Sequence, residues 1–170
     1  MSAPNDGSYG NDVSSAGRSS RLADLAFGAL AGIPAGLVYL VVEWIDNRIS
    51  RRRLFDMQLL ARPFVRSTRK ANILGVIIHL GNSMVLGGLY ALIAEKRLPG
   101  PPWARSMIFV SIENTVLYPA LVLERFHPAR KQNEIGSYWS IRSYLWTMPR
   151  HFAYGAVLGP LYARLRHPRD

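Results

Sequence analysis

Hydrophobic residues along the chain are gathered into four long runs, which polar and basic stretches separate. The runs lie at about residues 25–45, 71–94, 103–124 and 143–165. A helix needs about 20 mainly apolar residues to cross the hydrocarbon core of a bilayer. The pattern therefore predicts an all-α polytopic membrane protein with four transmembrane helices. The alternative is a soluble helical bundle, but four runs of this length are hard to bury in 170 residues.

The residues before the first run have a different composition. Up to residue 20 they are rich in Ser, Gly, Asn and Asp and lack an apolar period, which is typical of disorder. We therefore predict a disordered N-terminal tail over residues 1–24 and a four-helix transmembrane domain over residues 25–170. The run that starts at Leu25 is long enough to remain as a span and not to be removed as a signal peptide.

Basic residues give the expected orientation. The chain has a net charge of +10. Eight Lys or Arg residues lie between the first two spans, and four lie between the last two, with Arg150 following as a fifth inside the fourth run. Basic loops mark the cytoplasmic side of a membrane. We therefore expect a bacterial cytoplasmic (inner) membrane protein with both long loops inside and both termini outside, although the basic C-terminal RLRHPRD opposes this assignment. The basic blocks flank apolar runs and do not form a groove-reading module, so no nucleic-acid partner is predicted.

The first long loop contains LFDMQLLARPFV, residues 54–65, in which apolar residues are set among arginines. This composition predicts an interfacial helix on the anionic inner leaflet of the bilayer.

The second and fourth runs resemble each other. HLGNSMVLGGLYALI (residues 79–93) and HFAYGAVLGPLYARL (residues 151–165) match at seven positions, including the first His. Both runs cross the membrane in the same direction, which indicates two related helical hairpins arranged as a parallel repeat.

Small residues recur at every fourth position of three runs, and residues four apart share one helix face. Such faces let membrane helices approach closely, so we interpret them as packing seams. The predicted seam residues are Gly28, Gly32, Gly36, Gly75, Ser83, Gly87, Gly155 and Gly159.

Several polar residues fall inside the runs. A carboxylate at mid-bilayer costs at least ~2.5 kcal/mol unless it is neutral or partnered. Glu113 should therefore face the bundle interior, near His79, His151 or Arg150. The predicted intramembrane cluster consists of His79, Asn82, Glu113, Asn114, Arg150 and His151.

Three interpretations of this cluster compete. In the first, the residues are structural and the protein is a non-enzymatic accessory subunit of a membrane assembly, with a membrane-protein partner or a second copy of itself. In the second, His79 and His151 ligate a haem, or bind a divalent metal together with Glu113. In the third, these residues form an ion or proton path. No cofactor is predicted under the leading, structural interpretation.

Catalysis has little support in the sequence. The absence of cysteine excludes a thiol nucleophile, an iron–sulfur cluster and a Cys-based zinc site. The chain also lacks a paired-carboxylate metal motif, a nucleophile elbow and a phosphate-binding glycine loop. A basic flank around His127 leaves a lipid-directed enzyme as a further alternative.

The closing segment HFAYGAVLGPLYARL resembles the last span of small bacterial inner-membrane proteins of the YagU-like type. The resemblance covers about twenty residues and implies a four-span membrane protein, without an activity to transfer.

Overall fold

A computed structural model describes residues 9–168 of the chain, with side chains from residue 19 onward. All regular structure within these residues is helical. Two helices change their winding before they end: α3 continues as a π-helical turn over Tyr90–Ala94, and α4 continues as a 3-10 segment over Tyr118–Phe126. The α-helices are α1 (Tyr9–Ser50), α2 (Asp56–Ala61), α3 (Thr68–Leu89), α4 (Pro102–Leu117), α5 (Pro128–Lys131) and α6 (Ile141–Arg166).

Helix α1 begins within the segment that the sequence predicted to be disordered. From Tyr9 onward the backbone is helical, whereas the sequence pattern placed the start of the helical domain at residue 25. Residues 1–8 lie outside the described part of the chain. Asp24 supplies a physical reason, because its buried carboxylate forms an ion pair with Arg166 and accepts a hydrogen bond from the Tyr162 hydroxyl at 3.3 Å. These contacts join the start of the domain to its end.

Three helical segments are long and apolar enough to cross a membrane: Ser19–Ser50, Thr68–Ala94 and Pro102–Phe126. Many of their large apolar side chains point outward and are exposed, as Ile77, Val85 and Val116 are, and this is the arrangement of a lipid-facing surface. Helix α6 has 26 residues, but its four arginines lower its hydropathy. The chain is therefore an all-helical protein with three candidate membrane spans.

Helix α1 lies in the middle of the bundle. It packs against α3 on one side and α6 on the other, and α4 packs against α6. The spatial order of the long helices is therefore α3, α1, α6, α4. Helices α3 and α4 occupy the two ends of this order, and α4 meets the α3 side mainly at the turn formed by Tyr90–Ala94.

Small residues allow α1 and α3 to approach closely. A Cβ atom added to Gly28 would overlap the carbonyl oxygen of Gly87, and one added to Gly32 would overlap that of Ser83. Gly36 lies against the Ser83 side chain. The two backbones are in direct contact along this face, an arrangement that small residues permit in membrane helices.

A second close approach joins α4 and α6. The Ser106 hydroxyl donates a hydrogen bond to the carbonyl oxygen of Gly155 at 2.5 Å. A Cβ atom on Gly159 would overlap the carbonyl oxygen of Pro102. Gly75, in contrast, faces α2, where the backbone of Met57 occupies the space of a side chain.

The turn after α1 returns the chain toward the bundle. The Asn47 side-chain amide donates a hydrogen bond to the Leu54 carbonyl at 2.9 Å, and its oxygen accepts one from the Leu54 N–H at 2.7 Å. Between them, Arg51 and Arg53 adopt positive φ values of 55° and 60°, a conformation that is uncommon for residues other than glycine. The Asn47–Leu54 pair thereby fixes where α2 starts.

The segment predicted as an interfacial helix is only partly helical and is partly buried. Helix α2 covers six of its residues and packs against α3. Leu54, Gln58, Ala61 and Arg62 are buried. The prediction failed to anticipate this burial because the mixed apolar and basic pattern of the segment is the same for a helix lying on lipid and for one lying on protein.

The two long loops contact each other. Arg62 pairs with Glu134 and also donates a hydrogen bond to the Gln132 side chain. The Nε2–H of His127 donates to the Leu59 carbonyl at 2.8 Å. The loop after α1 and the loop after α4 therefore form one layer at the same end of the bundle.

Candidate functional site

A cavity of about 240 Å³ lies between α3 and α4. It forms there because α3 and α4 diverge from the Tyr90–Ala94 turn, while α1 and α6 close its back and the loop layer closes one end. Its wall is largely apolar, with several polar side chains. The lining consists of Tyr39, Asp56, Leu59, Leu60, His79, Asn82, Ser83, Leu86, Val110, Glu113, Asn114, Leu117, Tyr118, Leu121, Tyr138, Ser143, Tyr144, Thr147, His151 and Tyr154.

The cavity brings together most of the polar cluster expected from the sequence. His79 and Asn82 reach it from α3, Glu113 and Asn114 from α4, and His151 from α6. These residues come from three different helices, so they come together only because the helices pack against one another. Arg150, the remaining member, is not part of the lining.

Tyr39 of α1 contacts both histidine rings. Its ring centroid lies 4.8 Å from that of His79 and 5.2 Å from that of His151. The Nδ1–H of His151 donates to the Thr147 carbonyl at 3.0 Å. The Nε2 atom of His79 is buried and has no hydrogen-bond partner among the described residues.

A haem held by the two histidines would have to accommodate the phenol ring of Tyr39, which lies about 5 Å from both imidazoles. For the metal alternative, no group of three His, Cys, Asp or Glu side chains within residues 19–168 is close enough to hold an ion.

Of the three neighbours expected for Glu113, the two histidines line the same cavity, but Arg150 is not paired with it. No ion pair within the described part of the chain involves Glu113. Side chains on a helix lean toward its N-terminus, and Arg150 accordingly reaches toward the loop layer. The neighbouring Asn114 has a buried Nδ2 atom that lacks a hydrogen-bond partner among the described residues.

Arg150 is the centre of a separate buried ionic cluster. Its guanidinium lies 2.5 Å from Asp46, 3.4 Å from Asp56 and 3.8 Å from Glu43, measured between nitrogen and oxygen atoms. It also donates a hydrogen bond to the Leu54 carbonyl at 3.1 Å. The Arg150 side chain is fully buried, so three carboxylates compensate one guanidinium away from water.

Asp56 connects this ionic cluster to the cavity. Its carboxylate accepts hydrogen bonds from the hydroxyl groups of Tyr39 and Tyr138, the latter at 2.6 Å, and it also lines the cavity. Burial acts to raise the pKa of Asp56, but the Arg150 guanidinium and the two tyrosine hydroxyls outweigh burial and hold the pKa below its usual value. Asp56 is therefore a carboxylate at neutral pH.

Tyr138 is a stable hydrogen-bond donor to that carboxylate. Burial, followed by the negative charge of Asp56, raises the pKa of Tyr138 well above its usual value. The phenol consequently stays protonated, and its hydroxyl remains directed at Asp56.

Comparison with known proteins assigns the chain to a family. The family model described as "Family of unknown function (DUF6789)" matches residues 22–170. The chain belongs to the DUF6789 family. No curated protein and no solved structure matches it significantly. The comparisons therefore do not support the resemblance to YagU-like proteins.

The DUF6789 match covers every element that forms the cavity. It includes Asp56, Glu43 and Asp46, which the sequence analysis did not single out as site residues. Asp56 is the sole acidic residue in a loop segment rich in arginine, and this isolation is the sequence signal that could have identified it.

Proposed function

We propose that this chain is a four-span membrane protein that binds a small ligand in the cavity between α3 and α4. The cavity is slightly smaller than the ~300–1,000 Å³ typical of drug-sized ligands. Polar residues from three helices converge on it within a largely apolar wall, which is the usual character of a binding pocket. The binding role rests on this convergence.

Unpartnered polar atoms on the wall favour a ligand over a purely structural role. His79 and Asn114 each bury a nitrogen that has no hydrogen-bond partner among the described residues. A buried donor left unpaired costs about 1–3 kcal/mol. A bundle that used these side chains only for packing would be expected to satisfy them, whereas the wall of a binding cavity can present polar atoms that the protein itself leaves unpaired.

The fourth span in this proposal is α6. It is 26 residues long and packs between α1 and α4, so a membrane that contains those helices surrounds α6 as well. Its most costly residue, Arg150, is compensated by Glu43, Asp46 and Asp56. The hairpins α1–α3 and α4–α6, each with a small-residue contact, support the proposed two-part organisation.

The proposed location is the bacterial cytoplasmic membrane, with the termini outside. The joined loop layer carries most of the basic residues between spans, which supports a cytoplasmic position for this layer. An anionic inner leaflet would attract its exposed arginines.

An accessory role in a larger assembly is the second candidate. It is favoured by a shallow apolar groove on the outer side of α4, lined mainly by residues such as Met107, Ile112 and Val116. A partner helix or a second copy of the chain is the corresponding occupant.

The binding proposal is tested by purifying the protein from its native membrane in mild detergent and recording native mass spectra, metal content and the optical spectrum. We expect a colourless protein that carries a small molecule. Leu86→Trp, which fills the cavity, should abolish this retention. Val85→Trp, at the neighbouring exposed position, should not. Equal retention by both variants, or a Soret band lost in His79→Ala, would contradict the proposal.

A further inference from the structure

The charge of the cavity wall is opposite to that of the chain. The protein has 21 Lys and Arg residues and a net charge of +10. None of these residues is among the described side chains that line the cavity, although two carboxylates are, Asp56 and Glu113. A cavity of this kind disfavours anionic ligands and attracts cations.

The adjoining ionic cluster adds to the negative potential. Arg150 is the one guanidinium that faces Glu43, Asp46 and Asp56 together. The Oε2 atom of Glu43 is buried and has no hydrogen-bond partner among the described residues. One positive charge therefore faces three carboxyl groups immediately behind the cavity wall, and two of them, Asp46 and Asp56, lie closer to it than Glu43 does.

Glu113 also lacks a cationic partner within the described part of the chain. It lies midway along a candidate span, where an unpaired carboxylate is costly. A positively charged ligand in the cavity would compensate it.

Tyrosine side chains form much of the remaining wall. Five of the eight tyrosines in the chain line the cavity: Tyr39, Tyr118, Tyr138, Tyr144 and Tyr154. Four of their hydroxyl groups already have protein partners: those of Tyr39 and Tyr138 bond to Asp56, that of Tyr154 donates to the Ser83 carbonyl, and that of Tyr144 bonds to Thr115. Ring surface is thus what these tyrosines present to the cavity, and ring faces attract cations. Tyr39 also contacts His79 and His151, and Tyr118 also contacts Trp139 and Tyr144.

We propose that the cavity binds a small organic cation, a tertiary or quaternary ammonium with an apolar substituent. Glu113 and Asp56 are its counter-ions, and the tyrosine rings surround its ammonium group. The apolar substituent lies against the aliphatic wall formed by residues such as Leu86 and Val110. This inference rests on the proposed ligand-binding function and names the class of ligand.

The experiment compares benzyltrimethylammonium with its neutral carbon isostere, in which a quaternary carbon replaces the nitrogen. Both are titrated into the full-length protein in detergent, with a protein-free micelle blank, and binding is followed by calorimetry and by the shift in unfolding temperature. We expect the cation to bind at least tenfold more tightly than the isostere.

Matched variants assign the binding to the cavity. Glu113→Gln breaks no ion pair and should weaken cation binding tenfold or more, while Glu95→Gln, whose carboxylate pairs with Arg105 outside the cavity, should leave it unchanged. Tyr118→Phe keeps the aromatic ring and should retain binding, whereas Tyr118→Leu should lose most of it.

Three results overturn the inference. Equal binding of cation and isostere, reduced by Leu86→Trp, rejects the cationic class and leaves the ligand-binding function standing. Cation binding that neither Glu113→Gln nor Tyr118→Leu changes rejects the cavity as the cation site. If neither probe binds to folded protein, the cation inference is rejected, and native mass spectrometry of the co-purified small molecule then decides separately on the binding function.

Discussion

The guanidinium of Arg150, in the middle of α6, lies 2.5 Å from the carboxylate of Asp46 near the end of α1. This ion pair joins the last helix of the bundle to the first one and lies in an environment where the guanidinium has no contact with solvent. Its surroundings include two further carboxyl groups, so a single guanidinium faces all three acidic side chains of this buried cluster.

Replacement of that charge should destabilise the protein strongly. Arg150→Gln leaves Glu43, Asp46 and Asp56 without their cation, and removal of one partner of a buried ion pair typically costs about 3–5 kcal/mol. Arg142→Gln, at an exposed position of the same helix, should change the free energy of unfolding by less than about 0.5 kcal/mol. Unfolding by SDS in mixed micelles measures both variants, and equal stabilities would refute the role given to Arg150.

The contact between α1 and α3 should not tolerate a methyl group. In Gly32→Ala the new Cβ overlaps the backbone at Ser83, and overpacking of this kind costs about 1–3 kcal/mol. Gly81→Ala is the control, because a Cβ atom at this position of α3 has no neighbour within 4 Å. The same unfolding assay applies, and a Gly32→Ala protein as stable as Gly81→Ala would contradict the close packing.

Acidification should loosen the loop layer through His127. Its Nδ1 atom accepts a hydrogen bond from the Ala129 N–H at 3.3 Å, while Nε2–H donates to Leu59, so the neutral ring suits both partners. Burial lowers the pKa of His127 below its usual 6.5. His127 therefore takes up a proton more readily in the unfolded chain than in the folded one. The contribution of the neutral His127 ring to the free energy of unfolding is fully present above pH 6.5 and is lost as the pH falls below this value.

The difference in unfolding temperature between wild type and His127→Gln tests this effect. The wild type should lose more stability than the variant between pH 7.5 and pH 5.5, because the variant has no titrating ring at this position. Parallel pH profiles of the two proteins would argue against a contribution from His127.

The number of spans can be determined by labelling single cysteines, because the natural chain contains none. Cysteines replace the exposed residues Arg97, Lys131 and His167, and intact cells are treated with a membrane-impermeant maleimide. With four spans and external termini, positions 97 and 167 react in intact cells and position 131 reacts only after lysis. Labelling of 167 together with 131 would mean that α6 does not cross.

The sequence was a good guide to features that depend on local spacing. Apolar runs predicted the long helices, and the glycines at every fourth position of α1 lie where a neighbouring backbone comes closest. The end of α4 was harder to predict: Pro119 lacks the N–H of a regular α-helix, and the helix changes to 3-10 winding at Tyr118.

Features that depend on the path of a loop were missed. Asp56 enters the bundle only because Asn47 and Leu54 form two hydrogen bonds across the turn after α1, and nothing in the periodicity of the loop indicates this turn. For a related reason, sequence position could not decide whether Glu113 would meet His79, His151 or Arg150. Position along the helix puts Arg150 within reach of Glu113, but the direction of its side chain takes it to the carboxylates near the loop layer.

The long helices are arranged in space in the order α3, α1, α6, α4. If the chain were cut between Ala94 and Pro102 and its two ends were joined, its helices would follow one another along the sequence as α4, α6, α1, α3, which is the same order read backwards. The ion pair between Asp24 and Arg166 already holds those ends together. In such a circular permutant each long helix would be followed in sequence by the helix against which it packs. The natural chain instead uses its short connection to bridge the two outermost helices, so the two helices that flank the cavity are held to each other by a covalent link more than by a packed interface.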